Sequence, residues 1–241
     1  MFISKSHQYL QEHEKERIDV MEKILKQLKN DFVLKGGTGL LFGYGLDRFS
    51  EDIDLDAINW RNQLKNKIIN LKVEGYNLSI TVKKDTETTF RAMIDYGAKR
   101  QDLPEGCNEY KLKLEVSLRN KGIRSNDYID KEGIRVYKIE NLISQKINAF
   151  GARSKARDIY DVGFLLENYK NKFSLEQYRN LADIMERRDL DTLSYELKIA
   201  KHEGIISGLS KEIDPDQYAL NIDDLVNKGI DKIVKAKEYS R

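Results

Sequence analysis

The fold of this chain is decided by two short segments, LKGGT at residues 34–38 and RFSEDIDL at residues 48–55. The apolar run Phe32 to Leu34 predicts a strand that ends in a glycine turn. Thr38 is then predicted to cap a helix that continues to Tyr44. Acidic and apolar residues alternate around Ile53 to Leu55, and this pattern predicts a second strand. Together the segments predict a strand–turn–helix–strand unit.

The acidic pair in the second segment indicates phosphoryl-transfer chemistry. Asp52 and Asp54 are two residues apart on the predicted strand, so both carboxylates project from one face. Neighbouring carboxylates repel each other unless a cation neutralises them. Two divalent ions about 4 Å apart activate an attacking hydroxyl and stabilise a leaving oxygen. Because an isolated Asp-X-Asp is common at solvated strand ends, the inference depends on its combination with the glycine turn.

The Gly36-Gly37 turn predicts an anion site beside that pair. Glycine lets a ligand approach the backbone closely, and the amides at the start of a helix point toward anions. A phosphate site next to metal-binding carboxylates suits a nucleoside triphosphate. The segment lacks the third glycine of a dinucleotide fingerprint and the lysine of a P-loop, which argues against those nucleotide folds.

The rest of the first half alternates helical and strand patterns. Helices are predicted over residues 6–28 and 60–71, strands over 78–82, 88–94, 112–118 and 134–137, and a loop over 101–108. The strand at 112–118 places Glu115 on a polar face, where it is a candidate third carboxylate. From Ile139 onward the apolar spacing is helical. The sequence thus predicts an α+β domain with a mixed sheet over residues 1–138 and a helical bundle domain over 139–241.

Composition limits the metal chemistry and the location of the protein. The 241 residues are 40% hydrophobic and 34% charged, with a net charge of +2. Cys107 is the only cysteine, so an intrachain disulfide and a thiolate cluster are excluded. The three histidines are scattered, so a metal would need oxygen ligands, as Mg²⁺ or Mn²⁺ does. No apolar run approaches the roughly 18 residues of a membrane span, and the N-terminus lacks a signal-peptide pattern, so we expect a cytoplasmic protein without a membrane partner.

These segments resemble a known family. KGGT at 35–38 with RFSEDIDL at 48–55 resembles the AbiE-type (AbiEii-like) abortive-infection nucleotidyltransferases, the toxins of type IV toxin–antitoxin systems, within the DNA polymerase β-like superfamily. A second motif resembles the same family: KINA at 146–149, then Arg153, then RDIYD at 157–161. The two motifs span residues 34–166.

The resemblance implies roles for individual residues. It implies that Gly36, Gly37, Thr38 and Ser50 bind the nucleotide, and that Asp52, Asp54 and Glu115 are catalytic metal ligands. It also implies that Lys146 contacts the triphosphate and that Asp158 is a further catalytic polar residue. The implied cofactor is Mg²⁺ or Mn²⁺ and the implied substrate a nucleoside triphosphate. The implied partners are an RNA acceptor such as transfer RNA and a cognate antitoxin protein.

The second motif also has an interpretation from spacing alone. Lys146, Arg153, Arg157 and Asp161 follow at intervals of seven, four and four, so they are predicted to form one stripe of a helix. A basic stripe facing the carboxylates would balance the charge of a triphosphate. The alternative is that Arg157 and Asp161 form an ordinary surface ion pair.

Two other functions stay open at this point. One is a catalytically silent nucleotide- or RNA-binding module, against which the retention of Asp52, Asp54 and Glu115 argues. The other is modification of a small molecule, as in the aminoglycoside nucleotidyltransferases of the same superfamily. The net charge of +2 gives little general attraction to nucleic acid, although the last helical segment carries Lys228, Lys232, Lys235 and Lys237.

Overall fold

The computed structural model describes residues 10–58, 60, 62–97, 110–202 and 213–238. The chain divides into two compact units, residues 1–138 and 139–241, called here the N-terminal and the C-terminal unit. The predicted loop at 101–108, with Cys107, lies outside the described residues.

The N-terminal unit is a mixed sheet with helices. Its helices are α1 (Glu12–Leu28), α2 (Gly36–Tyr44) and α3 (Asn62–Ile69). Its strands are β1 (Phe32–Leu34), β2 (Ile53–Ala57), β3 (Ser79–Asp85), β4 (Thr89–Asp95), β5 (Lys111–Ser117), β6 (Tyr128–Lys131) and β7 (Ile134–Tyr137). Within the described residues these seven strands form one sheet in the order β3-β4-β5-β2-β1-β7-β6. The predicted α+β class with a mixed sheet is therefore confirmed.

Strand β2 lies in the middle of the sheet, where both of its edges are paired with other strands. It pairs antiparallel with β1 and parallel with β5, while β1 pairs parallel with β7. Ile53 and Leu55 are essentially inaccessible to solvent, as are Leu112, Leu114 and Val116 of β5. The apolar half of each alternating pattern fills the core, so the polar half is directed to the opposite face of the sheet.

Two differences from the prediction have a local reason. Helix α1 begins at Glu12 and leaves out Leu10 and Gln11, because the Glu14 carboxylate accepts a hydrogen bond from the Gln11 backbone N–H at 2.8 Å and caps the helix there. Residues 6–9 lie outside the described residues. Strand β6 was not predicted. Its hairpin with β7 uses the two-residue turn Glu132-Gly133, where both φ angles are positive, as in a type I′ turn.

In its described part the C-terminal unit is helical. Its helices are α4 (Ile139–Ala152), α5 (Ala156–Tyr169), α6 (Leu175–Arg188), α7 (Leu190–His202) and α8 (Pro215–Glu238). Helix α5 is the central element, since every residue from Asp158 to Leu166 is buried. Tyr160 of α5 stacks on Tyr218 of α8 with ring centroids 5.5 Å apart. No helix in the described part of the chain is long and apolar enough to cross a membrane.

Candidate active site

The glycine turn is attached directly to strand β2. The Lys35 backbone N–H donates to the Asp54 carbonyl at 2.9 Å. Gly36 follows with φ +69°, a left-handed conformation that favours glycine. A Cβ atom at Gly36 would lie 3.0 Å from Asp54 Oδ2, so the absence of a side chain lets the turn approach the carboxylate.

Thr38 and Ser50 hold the turn against the segment that precedes β2. Thr38 Oγ1 lies 2.8 Å from Ser50 Oγ and donates to the Asp52 carbonyl oxygen. The prediction that Thr38 caps α2 is wrong, because α2 begins at Gly36 and Lys35 is the N-cap. A Cβ at Gly37 would lie 2.9 Å from both Ser50 Oγ and the Arg48 guanidinium. The second glycine therefore makes room for these two polar groups.

The start of α2 leaves amide donors available for an anion. The Gly39 N–H donates to the Lys35 carbonyl at 3.0 Å and begins the helical hydrogen-bond pattern. The N–H groups of Gly36, Gly37 and Thr38 precede it and have no acceptor within the helix. Such groups attract negative charge, which the helix dipole favours as well.

Three carboxylates lie on the polar face of the sheet beside this turn. Asp52 and Asp54 are two positions apart, and Asp54 is paired in register with Glu115 across the parallel strands β2 and β5. Paired residues on neighbouring strands direct their side chains to the same face. The alternation within residues 112–118 predicted only that Glu115 lies on a polar face. The strand register places Glu115 beside Asp54. We call Asp52, Asp54 and Glu115 the carboxylate face.

Two basic side chains of the same face bind the outer carboxylates. Lys113 Nζ lies 2.6 Å from Asp52 Oδ2, and the Arg91 guanidinium donates to Glu115 Oε2 at 2.6 Å. Among the described residues, no three His, Cys, Asp or Glu side chains converge as a metal site. A divalent ion on the carboxylate face would compete with these two cations for the carboxylate oxygens. The oxygen ligands themselves suit Mg²⁺ or Mn²⁺.

Asp54 is the carboxylate without a cation of its own. Its side chain has no ion-pair or hydrogen-bond partner among the described residues, whereas Asp52 and Glu115 are both paired. Burial raises the pKa of Asp54 above its usual value, Lys113 opposes this, and the charges of Asp52 and Glu115 raise it further. The ionised carboxylate is therefore costly here until a cation approaches it.

Asp56 is a buried acidic residue that the sequence analysis missed. It accepts hydrogen bonds from Lys35 Nζ and, at 2.7 Å, from the Tyr137 hydroxyl. Burial, followed by the Asp56 hydrogen bond and charge, raises the pKa of Tyr137 well above its usual value. The alternation Asp52, Asp54, Asp56 was the signal that could have revealed this residue. Because Asp56 holds the lysine that precedes Gly36, it fixes the position of the glycine turn.

Lys146 and Asp158 lie together in the C-terminal unit as part of a buried charged cluster. Lys146 Nζ is 2.5 Å from Asp161 Oδ2 and 3.8 Å from Asp158 Oδ1. Arg153 donates to both oxygens of Asp158, at 2.7 and 3.1 Å. Lys146, Asp158 and Asp161 are at most 6% exposed. We call these three residues, together with the exposed Arg153 that pairs with Asp158, the buried charge cluster.

The predicted single basic stripe is wrong, because its residues do not lie on one helix. Lys146 lies on α4 and Asp161 on α5, because the helix ends at Ala152 and a new one begins at Ala156. The buried charge cluster has two positive and two negative members and includes Asp158, which was not part of the predicted stripe. Asp161 binds Lys146 more closely than Asp158 does, and the sequence analysis did not propose it as a site residue.

A mixed sheet that sets a glycine turn against an Asp-X-Asp strand has the architecture of a nucleotidyltransferase. The family model described as "Nucleotidyl transferase AbiEii toxin, Type IV TA system" matches residues 19–238. The chain belongs to this family, which confirms the resemblance seen in its motifs.

Two solved structures from Helicobacter pylori are similar over nearly the whole chain. One is a crystal structure of a proposed nucleotidyltransferase, with 31% identity, a TM-score of 0.79, and coverage of 94% of this chain and 99% of that one. The other is the crystal structure of JHP933, with 30% identity, a TM-score of 0.80, and coverage of 95% and 97%. No significant match was found among proteins of curated function.

Proposed function

We propose that this protein is a metal-dependent nucleotidyltransferase that moves a nucleotide from a nucleoside triphosphate to RNA, such as transfer RNA, as a type IV toxin. The family membership supports the general class of enzyme. The observation that carries the proposal is the Asp54 carboxylate, which has no partner among the described side chains and lies between Asp52 and Glu115 beside the Gly36 turn. A silent binding module would not need to keep a carboxylate in this costly setting.

The glycine turn is the proposed site of the nucleotide phosphates. The N–H groups of Gly36, Gly37 and Thr38 would donate to phosphate oxygens, while Ser50 keeps Thr38 in position through their 2.8 Å contact. Lys146 is proposed to contact the triphosphate as well, and Asp158 to support it within the buried charge cluster.

The carboxylate face is the proposed metal site. Asp52, Asp54 and Glu115 supply the oxygen donors that Mg²⁺ or Mn²⁺ prefers. A bound cation would lower the raised pKa of Asp54, because it would stabilise the ionised carboxylate. Once bound, such ions would stabilise negative charge on the phosphate oxygens and on the attacking oxygen. Lys113 and Arg91 would then be released from Asp52 and Glu115 and become available to the substrate's phosphates.

The reaction proposed is an in-line substitution at the α-phosphorus. An acceptor hydroxyl oxygen forms a new bond to this phosphorus, the bond to the bridging oxygen of the β-phosphate breaks, and pyrophosphate leaves. The hydroxyl proton is lost to solvent. The contribution of the protein is to hold both reactants in line and to bind the developing charge in a fixed arrangement of donors.

An acceptor screen tests the proposal. The protein is incubated with each α-labelled triphosphate, Mg²⁺, and either total RNA or a set of aminoglycosides. We expect label in RNA, abolished in Asp52→Ala and retained in Glu74→Gln, an exposed charge-matched control. RNA binding should weaken steeply with added salt, because phosphate contacts release counterions. Label in a small hydroxyl compound and none in RNA would overturn the RNA acceptor and leave nucleotidyl transfer in place.

The same family membership motivates the proposal of a cognate antitoxin protein. Co-expression with the neighbouring open reading frame is the direct test. Relief of growth arrest by the neighbour would support an antitoxin, and unrelieved arrest would count against that gene product.

A further inference from the structure

A cavity of about 360 Å³ opens between α8 and the 3-10 turn Lys170–Lys172 of the C-terminal unit. Lysines at positions 170, 228 and 232 line it. Its inner wall is apolar, because Phe173 and Tyr178 are buried there with ring centroids 5.1 Å apart. The cavity therefore combines cationic groups with an apolar wall, and we call it the lysine cavity.

The charges of the lysine cavity are poorly compensated within the described residues. Lys228 is bound to Asp224 at 2.6 Å in an exposed pair, the type of ion pair that contributes little. Lys232 donates to the neutral Asn171 side chain at 3.3 Å, and neither Lys170 nor Lys232 has an acidic partner among the described residues. The cavity thus presents a net positive charge to solvent.

The close approach of its two walls is built into the sequence. A Cβ atom at Gly229 would lie 2.3 Å from the Tyr178 ring, so glycine is required for α8 to pack against that ring. The Tyr178 hydroxyl in turn donates to the Lys170 carbonyl at 2.8 Å and fixes the 3-10 turn. The lysines are therefore carried by packed elements, which keep their relative positions defined.

The cations extend beyond the cavity along one helix face. Lys228, Lys232 and Lys235 follow at intervals of four and three, and all three are exposed. Lys228 and Lys232 are separated by about 6 Å along the helix axis. Asp231 is the acidic residue of α8 between them, so the row stays net positive. A row longer than the cavity fits a chain of phosphates better than a single phosphate group.

We infer that the lysine cavity and the adjoining α8 lysines bind the phosphate backbone of single-stranded RNA, with one nucleotide against the apolar wall. This inference rests on the proposed function, because it assigns a binding surface to the proposed RNA acceptor. Ammonium groups contact the phosphates in a sequence-independent way, so the surface contributes affinity rather than choice of sequence.

The test is the salt dependence of RNA binding in the absence of metal and triphosphate. A fluorescein-labelled oligouridylate is titrated with full-length protein at several KCl concentrations, and its anisotropy is measured. For K170Q/K232Q we expect weaker binding, with the slope of log K against log[KCl] reduced in magnitude by about 1.4, which is about 0.7 for each lost phosphate contact on a single strand. K170R/K232R should keep the wild-type slope.

The control K83Q/K84Q removes the same charge from two exposed positions of β3 and should leave the slope unchanged. An unchanged slope in K170Q/K232Q, or an equal change in the control, would overturn the inference. Competition by free UMP as strong as that by the oligomer would also overturn it in favour of a mononucleotide site. This binding assay contains no metal or triphosphate and does not depend on nucleotidyl transfer. A negative result in the acceptor screen would therefore be distinguishable from a negative result here.

Discussion

Asp54 of β2 and Glu115 of β5 are paired in register across two parallel strands, and Arg91 of β4 is paired with Glu115 on its other side. This row places an arginine next to Glu115 and leaves Asp54 at the end without a cation. The distribution of charge on the sheet therefore follows from strand register. A cation that binds this face is therefore expected to interact most favourably with the Asp54 carboxylate. The predictions below depend on that residue and its neighbours.

The raised pKa of Asp54 should make the stability of the protein depend on pH. Because its pKa is raised in the fold, the stability that it contributes is complete below the unfolded carboxyl pKa of about 3.9 and is lost as pH rises through the folded value. Asp54→Asn stays neutral throughout. In EDTA it should melt at a higher temperature than wild type at pH 8, with a smaller difference near pH 4. A difference independent of pH would contradict this account, and Glu74→Gln is the control.

Lys113 should compete with metal for the carboxylate face. It lies 2.6 Å from Asp52 Oδ2, so an ion that binds this oxygen competes with it. Lys113→Met removes this positive charge with little change in length, and we expect tighter Mn²⁺ binding to the nucleotide-free protein by calorimetry. Weaker or unchanged Mn²⁺ affinity would show that the ion pair does not obstruct the metal.

A pair of glycine substitutions separates backbone strain from crowding of the site. Gly36 and Gly45 both have φ near +70°, but a Cβ at Gly36 would meet Asp54 whereas one at Gly45 meets nothing within 4 Å. Each change to alanine should cost about 1 kcal/mol or more of unfolding free energy, measured with urea. Gly36→Ala alone should also weaken magnesium-dependent nucleotide binding. Equal losses of binding in both variants would assign the effect to strain.

Lys146 should affect stability and triphosphate affinity together. Lys146→Met leaves Asp158 and Asp161 buried with one cation fewer, so we expect a loss of about 3–5 kcal/mol of unfolding free energy. Adding Asp161→Asn should recover part of it. In that double variant a nucleoside triphosphate should lose more affinity than the monophosphate, because the lost attraction grows with phosphate charge. Equal losses for the two ligands would restrict Lys146 to a structural role.

The sequence predicted the elements whose patterns are local. The alternation around Ile53 and the glycines at 36 and 37 were enough for β2 and the turn, because Ile53 and Leu55 are buried on either side of the less buried Asp54. The change from strand-like alternation to helical spacing of apolar residues at Ile139 likewise predicted a mixed-sheet unit followed by a helical one.

The pairing of side chains was not predictable from these patterns. Arg91 binds Glu115 from 24 positions away, and only the β4–β5 register brings them together. The break at 153–155 was missed because helical spacing continues through it, although the local hydrogen bonds do not. Asp56 was overlooked because its partners Lys35 and Tyr137 are distant in sequence.

The position of the label in the triphosphate gives the most direct test of nucleotidyl transfer at the carboxylate face. The protein is incubated with RNA, Mg²⁺ and a triphosphate labelled at either the α- or the γ-phosphate. Our account predicts that α-label enters RNA, that γ-label appears in pyrophosphate, and that Asp54→Asn abolishes both while Glu74→Gln does not. Transfer of γ-label to the acceptor, or undiminished α-label transfer by Asp54→Asn, would contradict it.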